Sequence, residues 1–512
     1  MARWFGVGVG DALARLGHPL EVVRLPGGGA AVRSDHADPG QLLGRLPPIA
    51  PETLGDPSFL AAHGVRAPYV TGSMANGIAS VELVRAAAAA GFLGFFGAAG
   101  LALPAVEAAL AGLAPTPGPW GANLIHAPNE PGAEQQVAEA FVRHGVRFVE
   151  VSAFIRPTPA VVWLASHGAR VSPAGEIVRP RAIFAKVSHP EVARPFVSPA
   201  PADVVRALVS AGRLTEDEGR LALRVPLATD LTVEADSGGH TDNRPLVALF
   251  PSIRAVRDAV EAATGIEGPR LGAAGGLGDP AGIAAAFALG AGYVLTGSVN
   301  QAAVECGLSA DGRALLATAG IADFAMAAAA DMFEQGVRVQ VLRRGTQFAQ
   351  RANRLYEVYR AHPSLEALPP AVRDELERRV LGATLGEVWE QTRAFFAQRD
   401  PSQLTAAESD PRHQMALTFR WYLGRSSRWA IDGDRSRQSD WQIWCGPAMG
   451  AFNTWTAGTY LADPARRTVA DIGVNLLRGA AVATRAHQLR TFGVPVPRGA
   501  DLAPPRPLGD PS

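Results

Sequence analysis

The chain of 512 residues has almost no lysine: of its 48 basic residues, Lys186 is the single lysine and the remaining 47 are arginine. Arginine serves wherever a positive charge alone is wanted, so Lys186 marks a place where a guanidinium does not serve. A compact ammonium on a flexible stem can meet one atom of a buried ligand, whereas arginine presents a planar fork. Cysteine is nearly absent too. Cys306 and Cys445 are too few for a disulfide framework, and no C-x-x-C spacing points to zinc. The formal net charge is zero, which gives neither nucleic acid nor an anionic membrane surface an electrostatic reason to bind. Long apolar runs are missing: the alanines 87–90 fall short of a membrane span, and Met1–Gly6 lacks the apolar core of a secretory signal. The expectation is a globular protein of the reducing cytoplasm that uses no metal.

What is present is an alternation. Between about residue 68 and residue 300, short apolar runs trade places with helical patterns. The runs are 68–71, 92–96, 120–125, 146–151, 183–187, 231–235, 270–274 and 293–296, and the helical patterns are 78–90, 106–113, 133–144, 159–167, 202–211, 246–263 and 280–289. Strands buried on both faces read as continuous apolar runs. Eight such units over roughly 230 residues predict an α/β fold, a (β/α)8 TIM barrel, in preference to an open doubly wound sheet. Residues 1–66 read as an N-terminal extension, 67–345 as the barrel, 346–490 as a C-terminal helical cap domain, and the Pro-rich 491–512 as a disordered tail. The cap carries Trp389, Trp421, Trp429, Trp441, Trp444 and Trp455.

In such a barrel ligands are handled at the carboxyl ends of the strands. Lys186 ends the fifth run. Gly272–Pro280 follows the seventh and opens a helix, and Leu295–Ser298 ends the eighth. Small residues at those two places let backbone N–H groups approach an anion, and the loops after strands seven and eight often hold a phosphate. His240 follows Gly238 and Gly239 after the sixth run, where an imidazole can donate or accept a proton near neutral pH. Alternatively it bonds one of its acidic neighbours, and Asp236 and Asp242 could instead ligate a metal. The first run leads into Thr71–Ser80 and the third into Asn123–His126. Donors there suit the polar rim of an isoalloxazine ring, whose negative charge on reduction Lys186 would stabilise.

These segments resemble a known family. Thr71-Gly72-Ser73-Met74-Ala75-Asn76-Gly77, Asn123–Glu130, Glu234–Asp242, Gly272–Gly276 and Thr296–Gln301 are similar to the PfaD-type trans-acting enoyl reductases, within the 2-nitropropane dioxygenase-like FMN barrels. The likeness continues through Asp331–Glu334, Phe419–Leu423 and Ile443–Phe452, and says little about the first 40 residues or the tail. It implies Gly72, Ser73, Met74, Asn123, Lys186 and Glu234 around the flavin, with Gly238 and Gly239 beside them. It places Gly275, Gly276, Gly297 and Ser298 at the FMN phosphate and His240 over the reactive face, with Lys186 and His240 as the catalytic pair.

The activity implied is reduction of an α,β-unsaturated acyl thioester on an acyl carrier protein of a polyketide or polyunsaturated fatty acid synthase. Hydride would pass from NADPH through FMN to the β-carbon, and His240, or a water it positions, would supply the α-proton. Arg343-Arg344 and Arg425–Arg428 are candidates to receive an acidic carrier protein, and the aromatic residues of the cap to line an acyl tunnel. For most of these the plainer expectation is a solvated face or core packing. A homodimer is compatible with the sequence. Two other readings remain open: a nitronate monooxygenase in which O2 reoxidises the flavin, and a flavin-binding structural subunit of a synthase.

Overall fold

The computed structural model describes residues 8–25, 27–33, 41–127 and 131–509. These fall into two units, the first running to Asp236, through Asp242–Gly307 and onward from Ala451, the second comprising Ser237–Thr241 and Leu308–Gly450. The first unit opens with strands β1 (Leu20–Arg24), β2 (Ala30–Arg33) and β3 (Leu42–Leu46), an antiparallel sheet in the order β2-β1-β3. Next come β4 (Tyr69–Thr71), β5 (Leu93–Phe96), β6 (Trp120–Ile125), β7 (Phe148–Ser152), the small hairpin β8 (Arg170–Val171) and β9 (Ile177–Val178), β10 (Ala182–Val187) and β11 (Asp230–Glu234). After β12 (Gly239–His240), which belongs to the second unit, follow β13 (Arg270–Ala274) and β14 (Tyr293–Thr296).

Strands β4, β5, β6, β7, β10, β11, β13 and β14 close into a parallel barrel, β14 returning to β4 with Thr296 opposite Thr71. The expected (β/α)8 architecture is therefore the one observed. β6, β13 and β14 have the predicted bounds, and the others shift by one or two residues. The reason is physical: helices cover the outer face and side chains fill the inner one, so β4, β5 and β14 are buried at every residue and leave no polar alternation to blur their limits. The helices at Pro159 and Pro280 start where predicted, and that at Val81 starts three residues later than the predicted 78; Thr158, Asp279 and Ser80 each accept a hydrogen bond from the backbone of the first turn they precede.

The amino-terminal end of the barrel is sealed by helix Pro57–His63. Phe59 stacks on Tyr293, and His63, almost wholly buried, approaches Asp230 at 2.8 Å. Asp230 also receives both Nε and Nη2 of Arg270, at 2.7 and 3.1 Å. The three are the first residues of β11 and β13 and the last of the sealing helix.

Helix Val469–Thr491 belongs to this first unit, not to a separate cap extending to residue 490. Gly473 lies so close to the barrel that a Cβ there would sit 2.5 Å from the Phe92 ring. Arg485, fully buried on the same helix, donates to the carbonyls of Arg15, Leu16, His18 and Pro47 and so ties the N-terminal extension to the helix. The segment after residue 491, expected to be disordered, is likewise held. The Arg506 N–H donates to Asn475 at 2.7 Å, its carbonyl accepts from Tyr460, and the Ala503 carbonyl accepts from Trp455. The anchoring carbonyls belong to Ala503 and Arg506, each directly before a proline.

The second unit is built on β15 (Phe324–Ala328) and β16 (Arg338–Leu342), antiparallel to each other, with β12 on the other edge of β16. Sequence reading gave no strands here: Phe-Ala-Met-Ala-Ala has no strand-like alternation, although its partner Arg-Val-Gln-Val-Leu does. This sheet, and not residue 346, sets the start of the unit. Helices Phe348–Ala361, Leu385–Arg399 and Pro411–Asp432 pack with it around Phe333, Leu355, Leu376, Phe419 and Tyr422.

Candidate active site

Three of the predicted cofactor residues converge on a residue that sequence reading missed, and a fourth, Glu234, meets one of them. Asn123 on β6 and Glu150 on β7 are direct partners across the sheet. The Asn123 amide donates to the Glu150 carbonyl and Oε2, both at 3.2 Å, and to Ser152 Oγ at 2.8 Å. The Ser73 hydroxyl, two residues past β4, donates to the same Oε2. Lys186 Nζ on β10 lies 3.2 Å from Glu234 Oε1 on β11 and 3.9 Å from Glu150 Oε2. Burial would pull the Lys186 ammonium down, but Glu234 and Glu150 outweigh it, and its pKa ends above the usual lysine range. The group is held as a cation. Glu150 itself has no exposed side-chain surface, and its Oε1 is buried without a hydrogen-bond partner. An acid in the middle of the apolar run 146–151 was the available signal, since alternate residues of a barrel strand face the interior.

At the carboxyl ends of the next two strands the chain leaves backbone donors unused. Among the described residues the N–H groups of Gly276 and Gly297 make no hydrogen bond. A Cβ at either residue would meet nothing within 4 Å, so both face open space. Gly275 is required for a different reason: at φ +86° a Cβ would press into the Ala235 backbone at 2.6 Å. Asp279 caps the helix Pro280–Ala288 and Ser298 opens a short 3-10 turn. Gly72 is packed, since a Cβ there would lie 2.5 Å from Leu295. Met74 is the residue whose carbonyl accepts from Ala79 in the loop after β4. Asn76, in the loop after β4, has φ 58°, which asparagine tolerates, and Ala153, after β7, has φ 64°, a strained backbone of the kind that clusters at functional sites. Pro128–Glu130 of the predicted third motif lie outside the described residues.

His240 and Gly239 form β12 of the second unit, paired with Val339 and Gln340. His240 Nε2 lies 3.2 Å from Asp331 Oδ1. Burial would raise the Asp331 carboxyl, but His240 and nearby backbone N–H groups hold it below the usual range. Gly238 is tight against its own unit, where a Cβ would reach the Cys445 backbone at 2.7 Å. Asp331 is thus the partner that sequence reading placed only inside a matching segment.

The remaining candidates have structural partners. Asp236 accepts from Asn243 at 2.9 Å and Asp242 from Ser188 at 2.7 Å; among the described residues no cluster of three His, Cys, Asp or Glu is placed to hold a metal. Arg344 pairs with Asp323, Arg428 with Asp432, and Arg425 lies over the Trp421 ring. Trp441 is fully buried and donates to the Asp434 carbonyl at 3.0 Å. No described helix is long and apolar enough to cross a membrane.

Residues 58–379 match the nitronate monooxygenase family. The chain belongs to that family. Within the second unit of this nitronate monooxygenase-family protein, residues 362–441 match the inserted helical domain of [acyl-carrier-protein] S-malonyltransferase. The chain is 41% identical over 448 residues to a polyunsaturated fatty acid synthase polypeptide of Thraustochytrium sp., covering 85% of itself and 30% of that protein. It is 38% identical over 438 residues to the polyketide biosynthesis protein PksE of Bacillus subtilis, covering 85% and 57%. It therefore spans less than two thirds of either relative. Among solved structures it superimposes with a TM-score of 0.82 and 34% identity on the enoyl reductase domain of MlnA from the macrolactin biosynthesis cluster of Bacillus amyloliquefaciens, covering 86% of this chain and 99% of that one.

Proposed function

We propose that the protein is an FMN-dependent enoyl reductase that acts in trans, using NADPH to reduce the α,β-double bond of an enoyl thioester on an acyl carrier protein of a polyketide or polyunsaturated fatty acid synthase. The observation that carries this reading is the match, at 34% identity over 99% of its length, to an enoyl reductase domain. The site is chemically suited to the cofactor. Unused amides at Gly276 and Gly297 fit a phosphate, and the buried polar group around Lys186 fits the polar edge of a flavin.

When bound, FMN would supply the hydride chemistry between NADPH and the β-carbon. The work of the chain is to orient and to balance charge. The Lys186 ammonium, already fixed between two carboxylates, offers a positive charge that needs no reorganisation. Gly275 makes the turn that presents the Gly276 amide. His240, oriented by Asp331 through Nε2, would give the α-carbon its proton or position the water that does.

The cradle has its own test. Gly297 has φ −112° and open space where a Cβ would go, so Gly297→Ala is expected to leave the melting temperature within about 2 °C of wild type. FMN should dissociate roughly tenfold more readily, the equivalent of one lost hydrogen bond. Fluorescence titration of apo-protein with FMN measures it; unchanged affinity would remove Gly297 from the phosphate site.

The family assignment itself favours a second reading, a nitronate monooxygenase without NADPH. Anaerobic absorbance separates the two. Bleaching of bound flavin by NADPH, and return of colour on adding a 2-enoyl thioester, is the expected result. Flavin that a nitronate bleaches and NADPH does not would move the protein to the second reading. Bound flavin that none of these reagents reduces would leave the reading as a structural component of a synthase.

A further inference from the structure

Glu150 lies beneath the residues assigned to the flavin, and its contacts dictate what those residues can do. Oε2 receives the Ser73 hydroxyl, the Asn123 amide at 3.2 Å and, at 3.9 Å, the Lys186 ammonium, while Oε1 has no partner. Counting protons gives the consequence. The only hydroxyl proton of Ser73 is committed to Glu150, so toward a ligand Ser73 Oγ can only accept. The Asn123 amide protons face Glu150 and Ser152 Oγ at 2.8 Å, which leaves Oδ1, also an acceptor. Lys186 remains a donor, with carboxylates on two sides. The pyrimidine edge of a flavin offers one N–H donor between two carbonyls. One of these acceptors can meet that N–H and the Lys186 ammonium can donate to one of the carbonyls.

We propose that Glu150 is a positioning residue: it sets Ser73 and Asn123 as hydrogen-bond acceptors, holds Lys186 in place, and through its charge makes the reduction potential of bound FMN more negative. Glu150 places a carboxylate 3.9 Å from the Lys186 ammonium, and negative charge beside a ring that gains electrons opposes the gain. This inference rests on the FMN reading above.

The test is Glu150→Gln, which keeps the size and removes the charge. The FMN potential, measured by anaerobic dye equilibration, is expected to shift positive, and FMN to bind roughly tenfold more weakly as one orienting interaction is lost. In a Lys186→Met background the same substitution should shift the potential less, because part of its effect passes through Lys186. Equal shifts in both backgrounds would overturn the coupling, and an unchanged potential in the single variant would overturn the proposal. If Glu150→Gln does not fold, Ser73→Ala carries the test. Loss of its donor concentrates charge on Glu150 and should move the potential further negative; no movement again overturns the proposal. A wild-type protein that binds no FMN would instead sink the cofactor reading, and this inference with it.

Discussion

Lys186→Met is expected to lower enoyl thioester turnover by roughly 10²- to 10³-fold, the usual scale for removing one preorganised electrostatic group from an active site. Lys186 is the sole lysine of the chain and sits between Glu150 and Glu234. Without it Glu150 and Glu234 both lose the cation they approach, which favours protonation of one of them. Both the field at the cofactor and the hydrogen-bond pattern of the site then change, so FMN affinity should fall with turnover. Lys186→Arg should not restore activity, since a planar fork cannot occupy the place of an ammonium wedged between two strands. The folded pKa lies above the ordinary lysine value. The stabilising contribution of Lys186 is therefore complete below the unfolded value and is lost only as pH rises through the folded one. No limb of the pH–rate profile near neutrality should belong to it. Steady-state kcat/KM with NADPH and a 2-enoyl thioester, beside an FMN titration, decides the matter. Turnover within threefold of wild type would remove Lys186 from the chemistry.

Asp230→Ala is expected to be the most damaging single change to stability, at about 3–5 kcal/mol, because it strands a charge that the fold has taken out of water. Asp230 has no exposed surface and accepts two hydrogen bonds from Arg270 while approaching His63. Phe59, Phe148 and Phe184 surround the His63 ring, so its side of the carboxylate offers no polar replacement. The melting temperature should drop by roughly 6 °C or more. Asp230→Ala with Arg270→Met should recover part of the loss, since the stranded cation is then gone. Asp230 begins β11 and Glu234 ends it, so the damage should be to folding and not to FMN affinity in the protein that remains folded. A single variant melting within 2 °C of wild type would show the triad to be dispensable.

The barrel was legible because its strands are buried on both faces, so each reads as an apolar run bounded by turn residues. Lys186 was legible through composition alone, and Gly275, Gly276 and Gly297 through their place after the last two strands. Glu150 was not, because its role depends on Asn123 of β6, Ser73 of the loop after β4 and Lys186 of β10. Nor was the assignment of His240. Sequence order puts it just after β11, but pairing of β12 with β16 carries it into the second unit beside Asp331.

Local pattern by itself determined the eight-fold α/β barrel, the strand ends that carry small residues and the one lysine. Those features depend on periodicity, burial and backbone freedom, each encoded within a few consecutive residues. Tertiary structure alone decided which charges meet. It set Lys186 between Glu150 and Glu234, tied Arg506 and the Pro-rich tail to Asn475, and bound the helix of Arg485 to the N-terminal extension. Hydrogen bonds and ion pairs act over about 3–4 Å in space whatever the separation in sequence, and only chain folding brings such partners within that distance.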